Sequence, residues 1–133
     1  MRVQAYLRVV SDEATIRAIH NDAKIDGTTI RPPSIRRRTL GDTWWALETQ
    51  MADLERGDED RGIIELLKRC APLVPCLKER TGTDIDVVLE IVTQYREHEG
   101  GPGIYLSREA ITMLSELGGA MDHDIVPDQM FEG

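Results

Sequence analysis

Asp84-Ile85-Asp86-Val87-Val88-Leu89-Glu90-Ile91-Val92-Thr93-Gln94-Tyr95 is the stretch on which the fold turns. Val87, Leu89 and Ile91 fall on one side of a period of two, and Val88, Glu90 and Val92 on the other. β-branched residues in alternation read as a strand. Thr81-Gly82-Thr83 is a turn leading into it. Upstream, Ile63, Leu66, Leu67 and Cys70 recur at helical spacing, and Leu73, Val74 and Leu77 continue the apolar face past Pro72. The spacing predicts a helix near 59–71 and a shorter one near 72–80, kinked at the prolines.

Downstream, His98-Glu99-Gly100-Gly101-Pro102-Gly103 is a glycine-rich connection, and Ile104-Tyr105-Leu106 reads as a short strand forming a hairpin with 84–95. Ser107 caps a third helix with Ile111, Leu114 and Leu117 on its inner face, closed by Gly118-Gly119. Met121 to Val126 is a last short strand, and 127–133 a loose tail.

Toward the N-terminus, residues 2–10 alternate, with Val3, Ala5, Leu7 and Val9 on one face. Ser11-Asp12-Glu13 supplies an N-cap and first-turn acids for a helix over about 12–24, with Ile16, Ile19 and Ala23 as its stripe. Thr28-Thr29-Ile30 is a short strand, Pro32-Pro33 suits an extended edge, and Gly41-Asp42 turns into an aromatic strand over 43–49. Met51 to Asp60 reads as a loop. Helices alternating with strands imply an α+β two-layer sandwich: a mixed or antiparallel sheet with three helices, of which a ferredoxin-like core is the simplest version. All 133 residues fit one domain.

The chain carries 24 acidic and 16 basic residues, a net charge of −8. That balance repels nucleic acid and suits a basic protein partner. No apolar run reaches the ~20 residues needed to cross a bilayer, and the N-terminus has no signal-peptide core, so the cytoplasm is the expected compartment. Cys70 and Cys76 match no zinc or thioredoxin spacing and read as small buried hydrophobes.

Several segments, in order, resemble domain-of-unknown-function family 4279, small bacterial proteins. They are Ala5-Tyr6-Leu7-Arg8-Val9 before Ser11-Asp12-Glu13, Trp44-Trp45-Ala46-Leu47-Glu48-Thr49, Gly103-Ile104-Tyr105-Leu106-Ser107, and Leu117-Gly118-Gly119 before Met121-Asp122-His123-Asp124-Ile125. The resemblance runs from about residue 4 to 126. Two features depart from it. Ile30-Arg31-Pro32-Pro33-Ser34 stands where members carry a Pro-Thr…Lys-Gly stretch, and His123 where they carry an apolar residue. The resemblance implies an architecture; it brings no activity and no catalytic residues.

Four groups are candidate sites. Arg31, Arg36, Arg37 and Arg38 beside Trp44 and Trp45 combine phosphate-binding forks with stacking surfaces, the pattern of nucleic-acid or nucleotide binding. A solvated strand edge accounts for the same arginines. Alternation sends one tryptophan to each face. Asp122-His123-Asp124 puts two carboxylates on one face and the imidazole on the other, so only the acids converge, on a metal, or else they cap loops or pair with arginines such as Arg31 or Arg36. The 98–103 glycines join two strands and do not open a helix, so they are not a phosphate loop. His20 borders the apolar stripe of the first helix.

No nucleophile motif, metal-ligand spacing or cofactor fingerprint is present. The expected function is a non-enzymatic interaction module without cofactor or metal, with an immunity-type neutraliser of a basic toxin as one concrete form. The alternative is a ligand-binding domain or small enzyme whose cleft uses Arg36–Arg38, a tryptophan and Asp122/Asp124. A third reading is nucleic-acid binding through the arginines. A homodimer is expected through an open sheet edge at Ile30–Ser34 or Met121–Val126.

Overall fold

Strand β1 (Arg2–Ser11) is the axis of the sheet. Its odd residues from Val3 to Val9 are buried and its even ones only partly covered, so the alternation in sequence sets which face meets the core. The computed structural model describes residues 1–33, 44–95 and 103–127. On one flank β1 pairs antiparallel with β5 (Asp86–Tyr95), with Leu7 opposite Leu89 and Tyr6 opposite Glu90. The other flank is shared. β3 (Trp45–Glu48) covers its C-terminal half and β4 (Ala52–Leu54) its N-terminal half. β2 (Thr29–Arg31) adds outside β3.

β6 (Gly119–Pro127) runs parallel to β5, from Val87 opposite Gly119 to Tyr95 opposite Pro127. The order is β2-β3-β1-β5-β6 with β4 also on β1, a mixed sheet in an α+β fold. This order does not confirm a ferredoxin-like core.

Four helices lie among the described residues, not three: α1 (Glu13–Ala23), α2 (Glu59–Arg69), α3 (Leu73–Lys78) and α4 (Arg108–Glu116). The expected kinked pair at Pro72 is resolved as the separate helices α2 and α3, with Pro72 capping the second. Asp12 caps α1, accepting from Thr15 N at 2.8 Å, and Ser107 caps α4, accepting from Ala110 N at 3.2 Å. Gly118, at φ +66°, ends α4 and turns the chain directly into β6. The helices pack on one face of the sheet. Leu7, Leu89, Ile16, Leu66 and Leu114 belong to a single buried cluster with Ile63, Leu73 and Ile91.

Four expectations need correction. Residues 104–106 form no strand and no hairpin with β5, because the flank of β5 they would occupy is taken by β6 after the α4 crossover. Their alternation is nonetheless used: Ile104 and Leu106 lean on the core while Tyr105 is exposed. Ile111 is 54% exposed, and Ala110 takes its place on the inner face of α4. Ala52–Leu54, read as loop, is a strand, and Pro127, read as tail, ends β6. Both cysteines are buried, as expected, and their thiols are free. The expected turn at Gly41-Asp42, most of the glycine-rich connection and residues 128–133 lie outside the described residues.

Candidate functional site

Among the described residues no helix covers the second face of the sheet, and the residues on it follow from strand parity. β1 contributes Gln4, Tyr6, Arg8 and Val10, β5 contributes Val88, Glu90 and Val92, and β6 contributes Asp122 and Asp124. Cross-strand register then sets these side chains in rows. Tyr6, Glu90 and Asp122 form one row; Gln4, Val92 and Asp124 form the next.

The β5–β6 half of this face is acidic. Carboxylate oxygens of Glu90, Asp122 and Asp124 lie within 4.8 Å of one another. Glu90 is only 9% exposed, while Asp122 and Asp124 are open to solvent. Burial pushes the Glu90 carboxyl above the ordinary glutamate range; a hydrogen bond and the negative charge of Asp122 push the same way, as does Asp124, and Arg8 opposes them. Tyr6 beside it is also raised, by burial first and then by the charges of Glu48 and Glu90.

The direction of the Glu90 shift fixes how stability depends on pH. Because the folded state favours the protonated form, Glu90 contributes stability at acid pH, and this is lost as pH rises through its raised value. Glu90→Gln keeps the shape and removes the ionisation. It is expected to stabilise by about 1 kcal/mol near pH 8, or about 4 °C in Tm, with the gain vanishing below about pH 4. Thermal melts across that range check this; a variant that loses stability near pH 8 contradicts it.

The β1–β3–β2 half is an ion-pair chain. Glu48, opposite Arg8 in the register, receives Arg31 Nε from β2 and has Arg8 Nε 3.5 Å from its other oxygen. The Arg8 contact is too long to be a good hydrogen bond, and Arg8 Nε is buried without a hydrogen-bond partner among the described residues. Next to this chain is a hollow of about 570 Å³ between Tyr6, Thr29, Arg31, Glu48 and the Thr49–Met51 segment. Its size suits a small polar ligand.

The expected site residues therefore separate. Arg31 and Asp124 share the open face but not a cluster, since Arg31 pairs with Glu48 and the two aspartates meet Glu90. Trp45 lies on the helix side, its ring under Arg17 at 5.3 Å. Trp44 is 42% exposed and borders a small hollow with Val10, Asp84 and Asp86. Arg36, Arg37 and Arg38 lie outside the described residues. His123 points away from the acids, with Nε2 2.8 Å from Thr93 Oγ1 on the core side. His20 borders the core as expected, with Nδ1 3.2 Å from Thr28 Oγ1.

A family model described as domain of unknown function DUF4279 matches residues 1–128. The chain belongs to the DUF4279 family. No curated protein and no solved structure matches it significantly. Membership thus brings this DUF4279 domain no activity, and any function has to be read from its own surface. Two of the residues that matter most on that surface, Glu90 and Glu48, are not among the candidate site residues of the sequence. The signal for Glu90 is a carboxylate set between Leu89 and Ile91 in the middle of the apolar run of β5. Among the described residues no helix is long and apolar enough to cross a membrane.

The thiols offer little nucleophilic chemistry. Burial raises Cys70 to about 11 and also raises Cys76.

Proposed function

We propose that this domain is a non-enzymatic binding module whose helix-free sheet face receives a basic protein partner in the cytoplasm. The observation that supports this is the Glu90–Asp122–Asp124 group, which concentrates negative charge on a face that no helix covers among the described residues. Charge on such a surface steers an oppositely charged partner and selects against acidic ones. An immunity-type neutraliser of a basic toxin is one specific form of this reading. The net charge of −8 supports it only generally; the local cluster makes it specific to a face.

The experiment separates the face from the net charge. Asp122→Lys/Asp124→Lys and Glu65→Lys/Glu109→Lys change the total charge equally, but the second pair lies exposed on α2 and α4. Poly-L-lysine binding at low salt is expected to weaken about tenfold or more in the first variant and less than about threefold in the second. Equal losses in the two would remove the proposed face.

A further inference from the structure

The outer edge of β6 is the longest unpaired strand edge among the described residues, since the sheet order ends there and the opposite edge, β2, spans only Thr29–Arg31. Its backbone donors and acceptors on that side have no ladder partner among the described residues. Most exposed edges are short, bulged or protected by lysine, because an open edge recruits another strand. β6 is neither short nor bulged and carries no lysine along Gly119–Val126; its charges there are the carboxylates of Asp122 and Asp124, which blunt pairing with a like edge but not with a basic one.

The two rows of side chains on β6 differ in chemistry. Toward the helix-free face stand Asp122 and Asp124, joined by Glu90 from β5. Toward the helix side stand Met121 and Ile125, 47% and 48% exposed, on either side of His123. An added strand would meet carboxylates on one face and uncovered apolar surface on the other.

A second copy of the chain fits this edge poorly. A two-fold antiparallel pairing of β6 with itself keeps like faces together. With His123 at the axis, Met121 meets Ile125, but Asp122 meets Asp124 twice. With Asp122 or Asp124 at the axis, that carboxylate faces its own copy. Shifting further leaves little more than half the strand paired. Like charges directly opposite are destabilising, and here each added carboxylate stands beside Glu90. The charge calls for cations opposite Asp122 and Asp124.

We infer that the β6 edge accepts, as an added strand, an extended segment in which basic residues alternate with apolar ones: lysine or arginine over Asp122 and Asp124, aliphatic side chains over Met121 and Ile125. Main-chain hydrogen bonds supply affinity and the alternation supplies specificity. This rests on the reading of the acidic face as a partner surface, and it names where on that face the partner docks and in what conformation.

The probe is a labelled, end-capped nine-residue peptide of alternating lysine and valine. A control of the same composition carries its lysines in one block. The alternating peptide is expected to bind about tenfold more tightly than the control, weakening with salt, and to slow amide exchange within 119–127. Equal binding of the two peptides without protection of β6 overturns the docked strand while leaving the acidic face intact, because poly-L-lysine tests that face separately. Absence of binding by both peptides overturns it as well. So does sedimentation of the free protein as a dimer with β6 already protected, which would give the edge to a second copy.

Discussion

Leu89→Ala is expected to destabilise the domain by about 3 kcal/mol, within the range of about 2–5 kcal/mol found for buried leucine truncations. Leu89 is fully buried, stands opposite Leu7 on the core face of β5, and shares its cluster with residues from both the sheet and the helices. The loss combines the transfer energy of the removed carbons with a cavity that a rigid ladder cannot collapse. Urea unfolding measures it. Val88→Ala, one residue away on the half-buried face, is the internal control and is expected to cost less than about 1 kcal/mol. Comparable losses at the two positions would mean that the faces of β5 are assigned wrongly.

Glu48→Ala is expected to cost about 2–3 kcal/mol, less than the about 3–5 kcal/mol of breaking a fully buried pair because both arginines keep some contact with water. Glu48 stands between Arg8 and Arg31, with its side chain only 14% exposed. Removing it leaves Arg8 half-buried beside a small residue, with Nε already lacking a hydrogen-bond partner among the described residues. The cost thus comes from the stranded guanidinium more than from the lost attraction. Replacing Arg8 as well, as Arg8→Met/Glu48→Leu, is expected to recover most of the loss. A double variant as unstable as the single one would show that Glu48 acts through something other than its arginines.

These two residues also mark how far the sequence could be read. Leu89 sits in a run whose alternation is unambiguous, and the strand, its buried side and its place in the core were all legible there. The same held for β1 and for the caps at Asp12 and Ser107, where local chemistry decides local structure. The partner of a strand is a different matter. Ile104-Tyr105-Leu106 alternates as a strand should, but the flank of β5 was taken by β6, and competition for an edge leaves no trace in the losing segment. Ala52–Leu54 is too short for a period to register and becomes a strand only because β1 offers the remaining half of its flank.

At the site, parity put Asp122 and Asp124 on one face and His123 on the other, as the structure has them. Their third companion, Glu90, comes from another strand through parallel register, which no spacing in the sequence encodes. Arg31 was one of the partners open to those aspartates and instead meets Glu48, because β2 reaches the sheet through β3, on the far side of β1.

The shared flank of β1 has a consequence for the nascent chain. β1 is made before the other strands of the domain, yet its full-length neighbour β5 extends to Tyr95. About 80 residues must follow β1 before that ladder can close, which at about 5–20 residues per second takes roughly 4–16 s of translation. Through that interval β3 and β4 can shield only one side of β1, in two short pieces. A ribosome stalled before β5 would therefore present a sticky, half-zipped hydrophobic ribbon, the form of the chain most in need of a chaperone.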